Sequence, residues 1–205
     1  MKDREPLVMI VDDDDSVRDA LADLLRSAGL ESVTFANTRD MLSFSQPDRP
    51  ACIVLDVQLP DLSGLDLQER LIASDQARPI VFISGFGDVP TTVRAMKAGA
   101  VDFLSKPLDA DELLSAVTKA IEQDRARRAE ARRLIEVTSL VDGLSARERD
   151  VLRGVSSGLM SKQIAFELGL TEITIKVHRA NMMKKMRVGS IIDLIRLIEP
   201  IRDRL

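Results

Sequence analysis

Four consecutive aspartates, Asp12 to Asp15, follow the apolar run Leu7–Val11. A lone aspartate, Asp56, closes the run Cys52–Leu55. Ser84 closes Ile80–Ile83, and Lys106 follows Val101–Leu104 by two residues. Carboxylates crowded together repel and raise one another's pKa. A hard divalent cation relieves that repulsion, and Mg2+ does so with a few carboxylate oxygens while keeping waters and binding phosphate. These residue types suit phosphoryl transfer: one carboxylate as nucleophile, with a metal ion and a lysine neutralising the transferring oxygens. Asp56 is the candidate nucleophile because it stands alone at a run's end. Asp12 and Asp13 are the candidate Mg2+ ligands, with Asp56 itself and the backbone carbonyl of Gln58. Lys106 would pair with the phosphate and Ser84 would donate to it. Taken alone, the VDDDD stretch reads equally well as a turn with a solvated acidic cap. The placement of Asp56, Ser84 and Lys106 is what favours a site.

Those residues converge only if the runs are strands of one sheet. Five short apolar runs, with Ser32–Phe35 as the second, alternate with stretches of helical spacing. Val17, Leu21, Leu24 and Leu25 face one way in the first stretch, and Leu65, Leu67, Leu71 and Ile72 in the third. Val93, Met96 and Lys97 close the fourth, and Leu113, Leu114, Val117 and Ile121 line the fifth. Gly29 and Gly99 fall where helices should stop. Such alternation predicts a parallel sheet covered on both faces, with ligands at the strands' carboxyl ends. Asp15 is a candidate N-cap for the first helix.

Residues 109–136 read as one long helix, amphipathic first and then charged all round, as a solvated linker or an arginine-rich segment touching DNA would be. Beyond Val141 the pattern is wholly helical. Ser145 and Glu148 form a capping box. Ser161–Leu168 stops at Gly169, Thr171 caps a helix running to about Met186, and a last helix spans Ser190 to about Ile198. Two helices joined by Leu168-Gly169-Leu170 make a helix-turn-helix pattern. Ile164, Ala165 and Leu168 are its expected core, joined by Ile173, Val177, Met182 and Met186, although Val177 can also face out. The only histidine, His178, reads as a packed residue or a DNA contact and has no metal-site partners.

The 205 residues suffice for two small domains. The net charge of −4 is divided: residues 141–205 hold 12 Lys+Arg against 8 Asp+Glu, and residues 1–140 hold 17 against 25. The basic part suits a phosphate backbone. With no apolar run long enough for a bilayer and no signal-peptide stretch, a cytoplasmic protein without a membrane role is expected. Cys52, alone in an apolar run, reads as a buried thiol.

VDDDDSVRDAL, LDVQLPDLSGLDL and FISGFGDVPTTVRAMKAGAVDFLSKP together resemble a response-regulator receiver over about residues 6–122. The resemblance implies a flavodoxin-like fold with a five-stranded parallel sheet. It implies Asp12 and Asp13 as the acidic pair, Asp56 as phosphoacceptor, Ser84 as switch hydroxyl, Phe103 as switch aromatic, Lys106 as phosphate-binding lysine and a cis Lys106–Pro107 bond. The stretch from Leu144 to Met186 resembles the LuxR-type helix-turn-helix of NarL/FixJ-family regulators over about residues 140–198, an all-α four-helix domain. It implies base contacts at Lys176, Val177 and Ala180, with Lys162, Thr174, Arg179 and Lys184 suited to phosphates. Where many relatives carry a longer polar side chain, Ala180 has none to reach a base.

The expected organisation is therefore a receiver at 1–122, a helical linker at 123–140 and a DNA-binding domain at 141–205. The implied protein is not an enzyme. A sensor histidine kinase would phosphorylate Asp56, promoting a homodimer that binds double-stranded DNA and meets RNA polymerase. The rival aspartyl-phosphate hydrolases of the haloacid dehalogenase kind need an acid two residues after the nucleophile, where this chain has Gln58.

Overall fold

A computed structural model describes residues 5–45, 48–74, 77–85 and 88–205. Phe86 and Gly87, within the stretch that carries the receiver resemblance, lie outside them. The chain divides after Arg128 into two units, each with its own core.

The first unit is built on five parallel strands: β1 (Leu7–Val11), β2 (Glu31–Phe35), β3 (Ala51–Asp56), β4 (Ile80–Ser84) and β5 (Asp102–Ser105). Their order is β2-β1-β3-β4-β5. β1, β3 and β4 are buried throughout, which is why they read as unbroken apolar runs. Alternate residues serve opposite faces. Met9, Ile53, Leu55 and Phe82 meet α2 (Thr38–Ser43), α3 (Gly64–Ala73) and α4 (Val89–Lys97). Ile10, Val54, Val81 and Ile83 meet α1 (Asp15–Ser27) and the start of α5 (Ala110–Asp142). The order reverses between β1 and β3, so the crevice of this doubly wound sheet opens between their carboxyl ends.

The helices differ from expectation in detail. Asp14, not Asp15, caps α1: its carboxylate accepts from the amides of Ser16 and Val17, at 2.8 and 3.3 Å. Asp15 is the first helical residue and ion-pairs with Arg18. On α3, Leu65, Leu67 and Leu71 are buried, but Ile72 is 51% exposed. On α4 the buried contact is the small Ala95, while Val93 and Met96 are each 43% exposed. A helix seated through alanine lies close to the sheet and leaves its larger side chains at the edge of the contact.

The charged middle of α5 is not solvated all round. Asp124 is fully buried, accepting from the Ala51 amide at 3.0 Å, Arg78 at 2.9 Å and Arg127 at 2.9 Å. A buried carboxylate is tolerated only with donors of this kind. It pins α5 to the start of β3.

The second unit takes the last turns of α5, where Val137 is buried and Leu134, Leu140 and Val141 pack beside it. It continues with α6 (Ala146–Ser156), α7 (Ser161–Leu168), α8 (Glu172–Lys185), α9 (Ile191–Ile198) and a closing 3-10 turn, Glu199–Arg204. Ser145 and Glu148 form the expected capping box on α6. Gly169 ends α7 in the left-handed region at φ 66°, a conformation glycine adopts at little cost. Thr171 and Ser190 cap α8 and α9. α6 and α7 pack closely: a Cβ on Gly154 would lie 2.7 Å from a side-chain carbon of Ile164.

Candidate functional site

Strand register brings the acidic residues together. Val11 pairs with Leu55, so Asp12 and Asp56 emerge side by side. Asp56 pairs with Ile83, placing Ser84 one residue beyond. Ser84 pairs with Ser105, and Lys106 follows. The Lys106 amide donates to the Ser84 carbonyl at 2.8 Å. The Lys106–Pro107 peptide is cis.

The ammonium of Lys106 lies 2.7 Å from Asp12 Oδ2 and 2.6 Å from Asp56 Oδ2. Asp12, Asp56 and Ser84 are buried, and Asp13 is exposed. Burial pushes the Asp56 carboxyl above its ordinary range and the charge of Asp12 adds to this, against the opposing hydrogen bonds from Lys106 and the Gln58 amide. For Lys106 burial works to lower the pKa, but hydrogen bonds to Asp12 and Asp56 outweigh it and raise the value. The remaining oxygen, Asp56 Oδ1, accepts from the Gln58 amide at 2.9 Å. Phe103 is half-buried with its ring 6.1 Å from that of Phe82.

Asp12, Asp13 and Asp56 each offer an oxygen within 4.8 Å of the others. Three carboxylates beside one ammonium leave an excess of two negative charges. Hard oxygen donors with that excess fit a divalent cation. The acidic pocket can therefore hold a metal ion.

Two contributors escaped sequence reasoning. Gly64 opens α3 so close to β3 that a Cβ would stand 2.4 Å from the Asp56 carbonyl oxygen. Its amide donates to the Val57 carbonyl at 3.0 Å, so the absence of a side chain lets this loop fold over the end of β3. Arg18 donates to the Asp12 carbonyl at 2.6 Å, tying α1 to the site. A glycine before a helix is a weak signal for such an approach, and nothing in the sequence points to Arg18.

In the second unit, Lys162, Lys176, Val177, Ala180 and Lys184 are exposed, whereas Thr174, His178 and Arg179 are partly covered. Lys176 ion-pairs with Glu172 at 2.8 Å, and Arg179 donates to Ser161 at 3.3 Å. Thr174 shares a hydrogen bond with Thr171 across the cap of α8. Ile173, expected in the core, is 76% exposed, and Val177 is 55% exposed. The buried side of α8 is Ile175 and Met182, continued by Met186. Apolar residues on both sides of α8 hide its phase from the sequence.

Fold and pocket define a class: a doubly wound sheet with a carboxylate–lysine site at its switch point, followed by a helix-turn-helix. Residues 8–118 match the response regulator receiver domain, and residues 142–198 match the bacterial regulatory proteins of the luxR family. The chain is 53% identical to Nodulation protein W of Bradyrhizobium diazoefficiens, over 94% of this chain and 85% of that protein. It is 43% identical to the response regulator protein TodT of Pseudomonas putida, over 100% and 90%. The solved structure of the response regulator StyR aligns with a TM-score of 0.86 at 45% identity, over 96% of this chain and 99% of StyR. Full-length FixJ from B. japonicum aligns with a TM-score of 0.56 at 37% identity, over 97% and 98%.

The chain belongs to the response regulators that join a receiver to a LuxR-type DNA-binding domain. Its function is phosphorylation-dependent regulation of transcription, in a family of regulators rather than classical enzymes. The receiver implies a histidine kinase as partner, and the LuxR-type domain implies DNA binding. Among the described residues no helix is long and apolar enough to cross a membrane.

Proposed function

We propose that Asp56 is the phosphoacceptor, with the two carboxylate-lysine contacts of Lys106 as the observation that carries the assignment. An Asp56 oxygen attacks the phosphorus of a kinase phosphohistidine. The P–N bond breaks, the imidazole leaves with the bond's electron pair, and an acyl phosphate remains on Asp56. Lys106 neutralises the incoming phosphoryl oxygens, and Ser84 donates its hydroxyl to one of them. Asp12, Asp13, Asp56 and the Gln58 carbonyl hold Mg2+, which supplies charge neutralisation on the transferring group when bound. Phe103 turns inward as Ser84 moves, which biases a two-state surface.

Phosphorylated receivers pair and bring two reading heads onto adjacent half-sites. A single small domain makes few contacts, so pairing raises affinity through effective concentration. The beryllofluoride-activated receiver of NtrC4, 30% identical to this chain, is a dimer. Lys176, Val177 and Ala180 meet bases, and Lys162, Thr174, Arg179 and Lys184 meet phosphates. Residues 1–122 form the phosphoacceptor module, 123–140 the helical connection and 141–205 the reading module. RNA polymerase is the partner at the promoter, in the cytoplasm.

The test is Asp56→Asn. With acetyl phosphate and Mg2+, the variant should keep its circular dichroism but take up no phosphoryl group, remain monomeric on gel filtration and give no added footprint. Donor-dependent dimerisation equal to that of the parent would overturn the proposal.

A further inference from the structure

The exposed side of α8 carries an apolar stripe that neither core accounts for. At 3.6 residues per turn, Ile173, Val177, Ala180 and Lys184 fall within about 60° of one another, opposite Ile175, Met182 and Met186. Ile173 and Val177 are the large apolar side chains of that side, 76% and 55% exposed. Both are β-branched and therefore stiff, so they present a fixed surface. Lys176 flanks them, and Lys184 ends the stripe, both exposed. An apolar strip between cations matches a duplex groove, whose phosphates attract the cations while its floor offers one apolar group, the C5 methyl of thymine.

We propose that Ile173 and Val177 read thymine methyl groups, making this chain's preferred half-site depend on two thymines. The proposal rests on the reading of α8 as the helix that enters the major groove, where N-terminal residues of a recognition helix meet base edges. Ile173 is the second residue of α8 and Val177 the sixth. They stand about 6 Å apart along the axis, at 1.5 Å per residue, close to two base steps of about 3.4 Å. Ala180 fits the same scheme: it makes no hydrogen bond and lets the helix approach closely. Discrimination then comes from methyl contact at these positions rather than from paired hydrogen bonds.

The experiment uses the full chain activated with beryllofluoride and Mg2+, and duplexes selected by it from a random library. Each thymine of a selected half-site is replaced in turn by deoxyuridine, which lacks only the methyl, and Kd is read by fluorescence anisotropy. Burial of one methyl predicts a loss of about fourfold at each of two positions. Ile173→Ala should abolish the uracil sensitivity at one position and Val177→Ala at the other, as a coupled pair requires. Both side chains are exposed, so both variants should keep the parent's thermal midpoint. Binding that is indifferent to uracil at every thymine overturns this inference and leaves DNA reading by α8 intact. So does sensitivity that survives in both variants. Failure of the activated chain to select any duplex overturns the reading of α8 itself, and the inference falls with it.

Discussion

Lys106 stands between two buried carboxylates, and its removal exposes what the site requires. Deleting one partner of a buried ion pair costs about 3–5 kcal/mol, because a charge is left uncompensated. Lys106 is 23% exposed and the carboxylates can take up a proton or a cation, so the loss here should be nearer about 2 kcal/mol. Lys106→Ala should therefore unfold at lower urea than the parent without divalent cations. Millimolar Mg2+ should recover much of that deficit, because a cation held by Asp12, Asp13 and Asp56, as proposed, would supply the missing charge. Equal Mg2+ increments in both proteins would contradict the assignment. The site was legible because each polar residue closes an apolar run or follows one within two residues, and parallel strands bring such ends to one edge. What the sequence could not decide is which of four consecutive aspartates caps α1. All four are good caps by type, and the choice of Asp14 lies in its extended backbone, φ −83° and ψ 113°.

Among the elements, α6 shows how much one side chain can organise. The Glu148 carboxylate accepts from the Ser145 amide at 2.7 Å and from Lys185, at the end of α8, at 2.7 Å. The bond from Lys185, with that from the Ser145 amide, holds its pKa below the ordinary carboxylate value of 4.5. A lowered folded-state value means that the anion stabilises the fold above about pH 4.5 and that this contribution is lost as pH falls through the lowered value. Glu148→Gln should destabilise the second unit by about 1 kcal/mol at neutral pH. It should also flatten the fall in stability that urea titrations of the parent show as pH drops below about 4.5. The same steep acid dependence in parent and variant would show that the carboxylate does not carry it. The capping box was visible as Ser-x-x-Glu, but the link to Lys185 was not, because it joins residues 37 apart in sequence. The phase of α8 was hidden for a different reason: with apolar residues on both sides, periodicity cannot choose between Ile173 and Ile175 as the buried one.

For the whole molecule, the acidic and basic halves imply a measurable division of labour. On the proposed assignment of Lys162, Arg179 and Lys184 to phosphates, one module would neutralise about three charges and should bind with a log Kobs against log[salt] slope of about −2.7. If phosphorylation pairs two chains on one duplex, the count doubles and the slope steepens to about −5.4. A switch that merely reorients one module would change affinity at every salt concentration and leave the slope alone. Anisotropy titrations between 50 and 300 mM KCl, with and without beryllofluoride, separate the two mechanisms. A slope that steepens on activation in the parent, and fails to do so in Asp56→Asn, ties the carboxylate at the end of β3 to the number of reading heads on DNA. An unchanged slope in the activated parent would mean that phosphorylation acts within a single chain.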